Sequence, residues 1–179
     1  FVWLLANEYN LKGDVNNDGQ GVLIRFVNPE KDALTHFLKD LQEKLPPLAL
    51  ITDIHQCEKH WENLPNFAEF VIRESENNAM DTQIVPDAAT CPACVEDLFN
   101  PENRRYHYPF TNCTHCGPRF TIIKRIPYDR KNTSMSDFPF CPDCEHEYKN
   151  PADRRFHAQP NACPVCGPHI WLQDTEHQL

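Results

Sequence analysis

Apolar residues recur at helical spacing from the start of the chain, where Val2, Leu5, Ala6 and Tyr9 share one face of a helix predicted over residues 1–10. Lys12–Asn17 predicts a short strand and Asn17-Asp18-Gly19 a turn. Val22–Val27, with Val22, Ile24 and Phe26 at period two, predicts the second arm of an antiparallel hairpin. Asn28 and Pro29 suit the cap and first position of a following helix. Ala33, Leu34, Phe37, Leu38, Leu41 and Leu45 give that helix one apolar stripe, and Pro46-Pro47 ends it. The β-rich runs Leu48–His55 and Phe67–Arg73 predict two further strands. Helix, strand, strand, helix, strand, strand is the order of an α+β sandwich, its helices on one face of an antiparallel sheet that lacks an opening strand. The polar, aperiodic stretch from Glu76 to Thr82 predicts a linker, so residues 1–75 form the first domain and 76–90 join it to the next.

Composition changes at this boundary. Residues 1–90 hold one cysteine, Cys57, and residues 91–179 hold the other eight together with eleven of the sixteen prolines. Lys and Arg number 7 against 15 Asp and Glu in the first half, and 10 against 11 in the second. The whole carries a formal charge of -9, so no basic field draws in nucleic acid. With a mean hydropathy of -0.61 and no apolar run near the roughly 18 residues of a membrane span, no membrane partner is expected. The chain begins at Phe1 rather than Met, without a charged-then-apolar leader, and is expected to be a piece whose N-terminus lies upstream.

The cysteines belong to a repeat. At an offset of fifty, residues 91–118 and 141–168 are identical at 12 of 28 positions: Cys-Pro-x-Cys, Asn-Pro, Arg-Arg, His and a closing Cys-x-x-Cys-Gly-Pro. Each copy reads Cys-x-x-Cys, eighteen residues, Cys-x-x-Cys, the spacing of a tetrathiolate zinc site. Two thiolates two residues apart can face one ion, and a second such knuckle completes a tetrahedron. Iron–sulfur ligation, redox thiols and disulfides are the rival readings; the odd cysteine total and the doubled spacing favour two zinc ions in a reducing, cytoplasmic setting. Four thiolates leave no open coordination position, so the metal is expected to be structural and to replace a core too small to hold itself. The ligands are then Cys91, Cys94, Cys113, Cys116, Cys141, Cys144, Cys163 and Cys166. Duplication of a whole unit favours local pairing, each copy closing on its own ion, over an interleaved arrangement.

The other candidates carry blander readings. His107 and His157 are expected to pack beside the sites, His115 to face solvent, and Cys57 to be an inert residue in a strand. Arg104-Arg105 and Arg154-Arg155 are expected to balance thiolate charge from just outside the ligands, with domain docking or phosphate contact as weaker alternatives. Trp3, Trp61 and Trp171 read as core or interface residues.

NPENRRYHYPFTNCTHCGPRFTIIKRIPYDR (100–130), CPDC (141–144) and NPADRRFHAQPNACPVCGP (150–168) resemble the hydrogenase-maturation carbamoyltransferases of the HypF family. NNDGQGVLI (16–24) and PPLALI (46–51) resemble that family's acylphosphatase domain. The resemblance implies a truncated ferredoxin-like sandwich, a tandem finger module over 91–170, and in 171–179 the start of a linker to a further domain. It also implies an enzyme that uses carbamoyl phosphate and ATP to carbamoylate the C-terminal cysteine of the partner HypE, for the cyanide ligand of nickel–iron hydrogenase. In that family an Asn orients the attacking water, and the matching residue is Asn17; the phosphate-binding Arg would precede Phe1, so this stretch alone is expected to be inactive. Gly13-Asp14 stands where the family usually has Gly-Trp, a departure that bears on packing. A zinc-dependent protein-interaction module, like the zinc region of DnaJ-type chaperones, is the competing reading; a nucleic-acid finger is disfavoured by the acidic balance.

Overall fold

The computed structural model describes residues 1–18, 21–59, 67–73 and 87–174. The chain divides into two compact units, Phe1–Gln83 and Ile84–Leu179. The linker expected over 76–90 lies outside the described residues up to 86. Its last part is held by the second unit, where Arg119 Nη1 donates to the Ala88 carbonyl (2.6 Å) and Asp87 Oδ1 accepts from the Phe120 N–H (2.6 Å).

The first unit runs α1 (Val2–Glu8), β1 (Gly13–Asp18), β2 (Gly21–Phe26), α2 (Lys31–Glu43) and β3 (Phe70–Ile72). β1 and β2 form the expected antiparallel hairpin, with Val15 opposite Ile24 and Asn17 opposite Val22. The sheet is not purely antiparallel, however. Its order is β2-β1-β3, and β3 lies parallel to β1, with Gly13 opposite Phe70 and Val15 opposite Ile72. A strand that returns after an intervening helix can run parallel to a neighbour, which a tight hairpin cannot.

Three local expectations are corrected. α2 starts at Lys31 with Glu30 in the cap position, and Asn28 adopts a φ of 44°, making a turn ahead of the helix instead of capping it. Leu48–His55 forms no strand: apolar composition makes a strand only where a neighbouring edge takes up the backbone groups, and no described strand pairs with it. Ile51 and Ile54 still reach the core, while Leu50 is 82% exposed. Cys57, placed by the pattern in a strand, is exposed and outside any ladder.

The core joins both helices to one sheet face. Leu5 and Ala6 of α1 and Phe37 and Leu41 of α2 are buried with Leu11, Val15 and Phe70. Phe26 meets Phe37 edge-on at 5.0 Å, and Trp3 Nε1 donates to the Phe70 carbonyl (2.9 Å), fastening α1 to β3. The opposite sheet face carries Asp14, which is 1% exposed and pairs with Arg25 (2.6 Å) and Arg73 (3.8 Å).

In the second unit the repeat is structural as well as sequential. α3 (Pro92–Phe99) and α4 (Pro142–Lys149) each begin after a knuckle cysteine with proline in the first turn, where its missing N–H and fixed φ cost nothing. Each helix stops at an Asn before a Pro, Asn100 and Asn150, whose side-chain oxygens accept from Glu102 N and Ala152 N at 3.0 Å. The chain then doubles back, and the N–H groups of His107 and His157 reach the carbonyls of Leu98 and Tyr148 (2.8 and 3.0 Å). Both histidines take a positive φ, 57° and 53°. No described helix is long and apolar enough to cross a membrane.

Candidate metal centres and the acylphosphatase strand

The thiols assemble locally. Cys91, Cys94, Cys113 and Cys116 form one cluster and Cys141, Cys144, Cys163 and Cys166 the other, with the sulfurs of each within 4.8 Å of one another. All eight are free thiols rather than disulfides. Neighbouring sulfurs stand at 3.6 Å (Cys91 to Cys113), 4.0 Å (Cys113 to Cys116) and 3.7 Å (Cys141 to Cys163 and Cys163 to Cys166). A tetrahedron with metal–sulfur bonds of about 2.3 Å has edges of about 3.8 Å, so the donors are already set to the size of a zinc site. The first cluster is wholly buried; in the second, Cys141 and Cys166 are half-buried.

The helix starts explain the first knuckle of each site. Cys91 and Cys141 occupy the helix cap, and the Cys94 N–H bonds the Cys91 carbonyl at 3.0 Å, turning both sulfurs to one side. The second knuckle is a tight turn, in which the Cys116 N–H reaches the Cys113 carbonyl (3.1 Å) and Gly117 follows at a φ of 73°. Cys91 N–H also points at the Cys116 sulfur (3.4 Å), a donor of the kind that steadies thiolate charge.

The arginine pairs cross over. Arg104 directs Nη1 and Nη2 to the Cys144 sulfur, both at 3.4 Å, and Arg154 directs Nη1 to the Cys94 sulfur at 3.0 Å. Each pair also grips an acid on the helix it reaches. Arg104 and Arg105 hold Glu147 at 2.6 and 2.5 Å, and Arg154 and Arg155 hold Asp97. Burial would raise the Glu147 carboxyl, but the Arg105 and Arg104 guanidiniums outweigh it and hold it down at about 2. Asp97 is lowered in the same way, against burial, by Arg155 and Arg154. Arg105, 1% exposed, also donates to Asn161 Oδ1 and to the Ala162 carbonyl, both at 2.9 Å. The residue pattern had singled out the arginines but neither acid. Asp97 and Glu147 stand at equivalent positions of the repeat, yet differ in identity, so a count of identical residues passes over them.

The remaining candidates are placed as follows. The His157 ring stacks on Tyr148 (5.1 Å) and His107 on Tyr106 (3.8 Å); both pack on neighbours. His115 is half-buried instead of facing solvent. Trp3 is a core residue, Trp171 is 63% exposed, and Trp61 lies outside the described residues. Asn17 lies near the hairpin end of β1, exposed, on the strand side that carries Val15, while its neighbour Asn16 is buried on the face of Asp14.

A small α+β domain with a mixed sheet, followed by a doubled tetrathiolate finger, defines a two-module protein with paired metal-binding knuckles. Residues 1–72 match the acylphosphatase family, and residues 90–123 and 140–173 each match the HypF finger. The chain is 49% identical over 140 residues to the carbamoyltransferase HypF of Synechocystis, covering 77% of this chain and 18% of that protein. A crystal structure of full-length HypF in the phosphate- and nucleotide-bound form superposes with a TM-score of 0.79 at 43% identity, over 94% of this chain and 22% of that one. HypF of T. kodakarensis gives 0.69 at 46% identity, over 93% and 21%. The chain belongs to the HypF family. It spans about a fifth of the length of the relatives it matches.

Proposed function

We propose that this chain is the acylphosphatase and finger portion of a carbamoyltransferase serving nickel–iron hydrogenase maturation. The full protein would take carbamoyl phosphate and ATP and carbamoylate the terminal cysteine of HypE in the cytoplasm. The observation that supports this best is the pairing of both modules in one chain that superposes along 94% of its length on HypF at 43% identity. In this reading Asn17 orients the water that attacks the acyl phosphate, and its exposed place near the end of β1 leaves it open to a ligand. Asn17→Ala in the full-length protein should abolish most carbamoyl phosphate hydrolysis without unfolding the first unit. Retained hydrolysis would remove Asn17 from the mechanism.

The two clusters bind zinc in this reading, Cys91, Cys94, Cys113 and Cys116 holding one ion and Cys141, Cys144, Cys163 and Cys166 the other. The bound ions would supply cohesion rather than chemistry, since four thiolates close the coordination sphere. Their binding energy, on the order of 10–16 kcal/mol per site, exceeds what so small an apolar core supplies. Elemental analysis of reduced protein should give two zinc ions per chain. Iron, or one zinc or fewer, would defeat the assignment.

A further inference from the structure

Resting on the zinc reading, we infer that the two metal sites form one reciprocal unit, in which the arginine pair of each repeat secures the metal site of the other. The contacts obey the fifty-residue offset. Arg104 reaches Cys144 and Glu147, and Arg154 reaches Cys94 and Asp97. In both helices the acid stands three residues after the cysteine, which puts thiol and carboxylate on one helix face. One guanidinium fork can therefore span both, and its planar, fixed donors suit that double task better than an ammonium would.

Charge gives the contact a purpose. Four thiolates around a divalent ion leave a net charge of about -2 in a buried site, where an uncompensated charge is costly. The Cys94 and Cys144 sulfurs are wholly buried, so solvent cannot offset that charge, whereas an N–H from the opposite repeat can. Other cross-repeat contacts fix the arms. Thr114 N and Oγ1 both donate to the Arg154 carbonyl (3.0 and 2.9 Å), and the Tyr108 hydroxyl donates to the Pro168 carbonyl (3.2 Å). Loading one site orders the backbone that carries the arginines serving the other. The coupling is then mutual by thermodynamic necessity, and the sites fill cooperatively.

The test uses the full chain loaded with 113Cd, a spin-active ion that takes zinc thiolate sites and reports each one separately. Wild-type protein should bind two equivalents and show two resonances, assigned with Cys116→Ser and Cys166→Ser. Fewer than two equivalents would overturn the metal reading itself, before any arginine is changed. Arg154→Ala should move the resonance of the Cys91–Cys116 site and lower that site's affinity about 10–100-fold by chelator competition. The resonance of its own repeat should stay in place. Arg104→Ala should do the converse. If either variant does not fold, its lysine counterpart, which keeps the charge and loses the fork, must show the same crossed pattern in reduced form. A shift confined to the variant's own repeat, or none at either site, would overturn the proposal.

Discussion

Arg104 and Arg105 hold the same carboxylate, yet the two should differ greatly in what they contribute. The Arg105 side chain is 2% exposed and that of Arg104 31%. Arg105→Met would strand the buried Asn161 Oδ1 and the Ala162 carbonyl, and would take from Glu147, itself 15% exposed, one of three cations, leaving Arg104 at 2.6 Å and Arg155 at 4.0 Å. An unsatisfied buried acceptor costs about 1–3 kcal/mol, and breaking a buried ion pair from one side about 3–5 kcal/mol. These overlap, because one guanidinium makes all the bonds, so about 3–5 kcal/mol is the expected loss. Arg104→Met leaves Glu147 with its two-point grip on Arg105, at 2.9 and 2.5 Å, and takes two donors from the Cys144 sulfur while the Arg105 Nη2 contact at 3.5 Å stays. The loss there should be about 1.4–2.7 kcal/mol, the equivalent of the 10–100-fold drop in metal affinity expected at that site. Native-state hydrogen exchange with zinc in excess separates the cases, since it reads the second unit without interference from the first. Amides of α4 should exchange more than about a hundredfold faster in Arg105→Met, and about 10–100-fold faster in Arg104→Met. Equal effects, or a loss below about 1 kcal/mol for Arg105→Met, would refute the burial argument.

Two glycines should differ in whether they can be rescued. A Cβ on Gly13 would lie 1.9 Å from the Arg25 carbonyl oxygen at a φ of 149°, so Gly13→Ala should unfold the first unit by circular dichroism whatever is changed nearby. On Gly167 the nearest atom is the Tyr108 hydroxyl at 2.1 Å, so the loss in Gly167→Ala should be partly recovered when Tyr108→Phe is added; no recovery would show that the Ala162 contact at 2.6 Å dominates. In the first unit, the hydrogen bond from Tyr9 Oη to Asp40 Oδ2 (2.5 Å) raises the phenol, and the bonds from Lys44 and Tyr9 lower the Asp40 carboxyl. The Asp40 contribution is therefore present above the ordinary carboxylate range and fades as pH falls through the lowered folded value, while that of Tyr9 is present below pH about 10 and fades above it. Asp40→Asn should make one tyrosine titrate earlier by ultraviolet absorbance; an unchanged titration would dispose of the bond.

The pattern of residues predicts the helices and the hairpin because each is specified locally. Val2, Leu5, Ala6 and Tyr9 all reach the core as their spacing requires, and Ile24 and Phe26 face it together. Partners distant in sequence were not legible. Phe67–Arg73 carries no mark of the parallel register it adopts with β1, and Leu48–His55 has the composition of a strand but no described edge to join. The metal sites were the most readable part, since ligand spacing is itself a local geometric constraint, and the thiols do gather repeat by repeat. The exchange of arginines was hidden. Each Arg-Arg lies ten residues beyond a cysteine of its own copy, and nothing in that interval states which copy the side chains face.

The fold supplies what the spacing lacks. In each repeat the stretch after the helix is tied back to that helix, through His107 to Leu98 and His157 to Tyr148. The arginines just ahead of these ties extend to the opposite helix instead. Because the arms are exchanged, the sites cannot be ranked by their own ligands alone. The second cluster, with Cys141 and Cys166 half-buried, is the more open to a chelator and should release its ion first. Yet emptying it loosens the backbone carrying Arg154, on which the buried first cluster depends. Burial of the first site therefore cannot by itself protect its metal. Its retention is set by the more exposed of the two, as reciprocity between coupled sites requires.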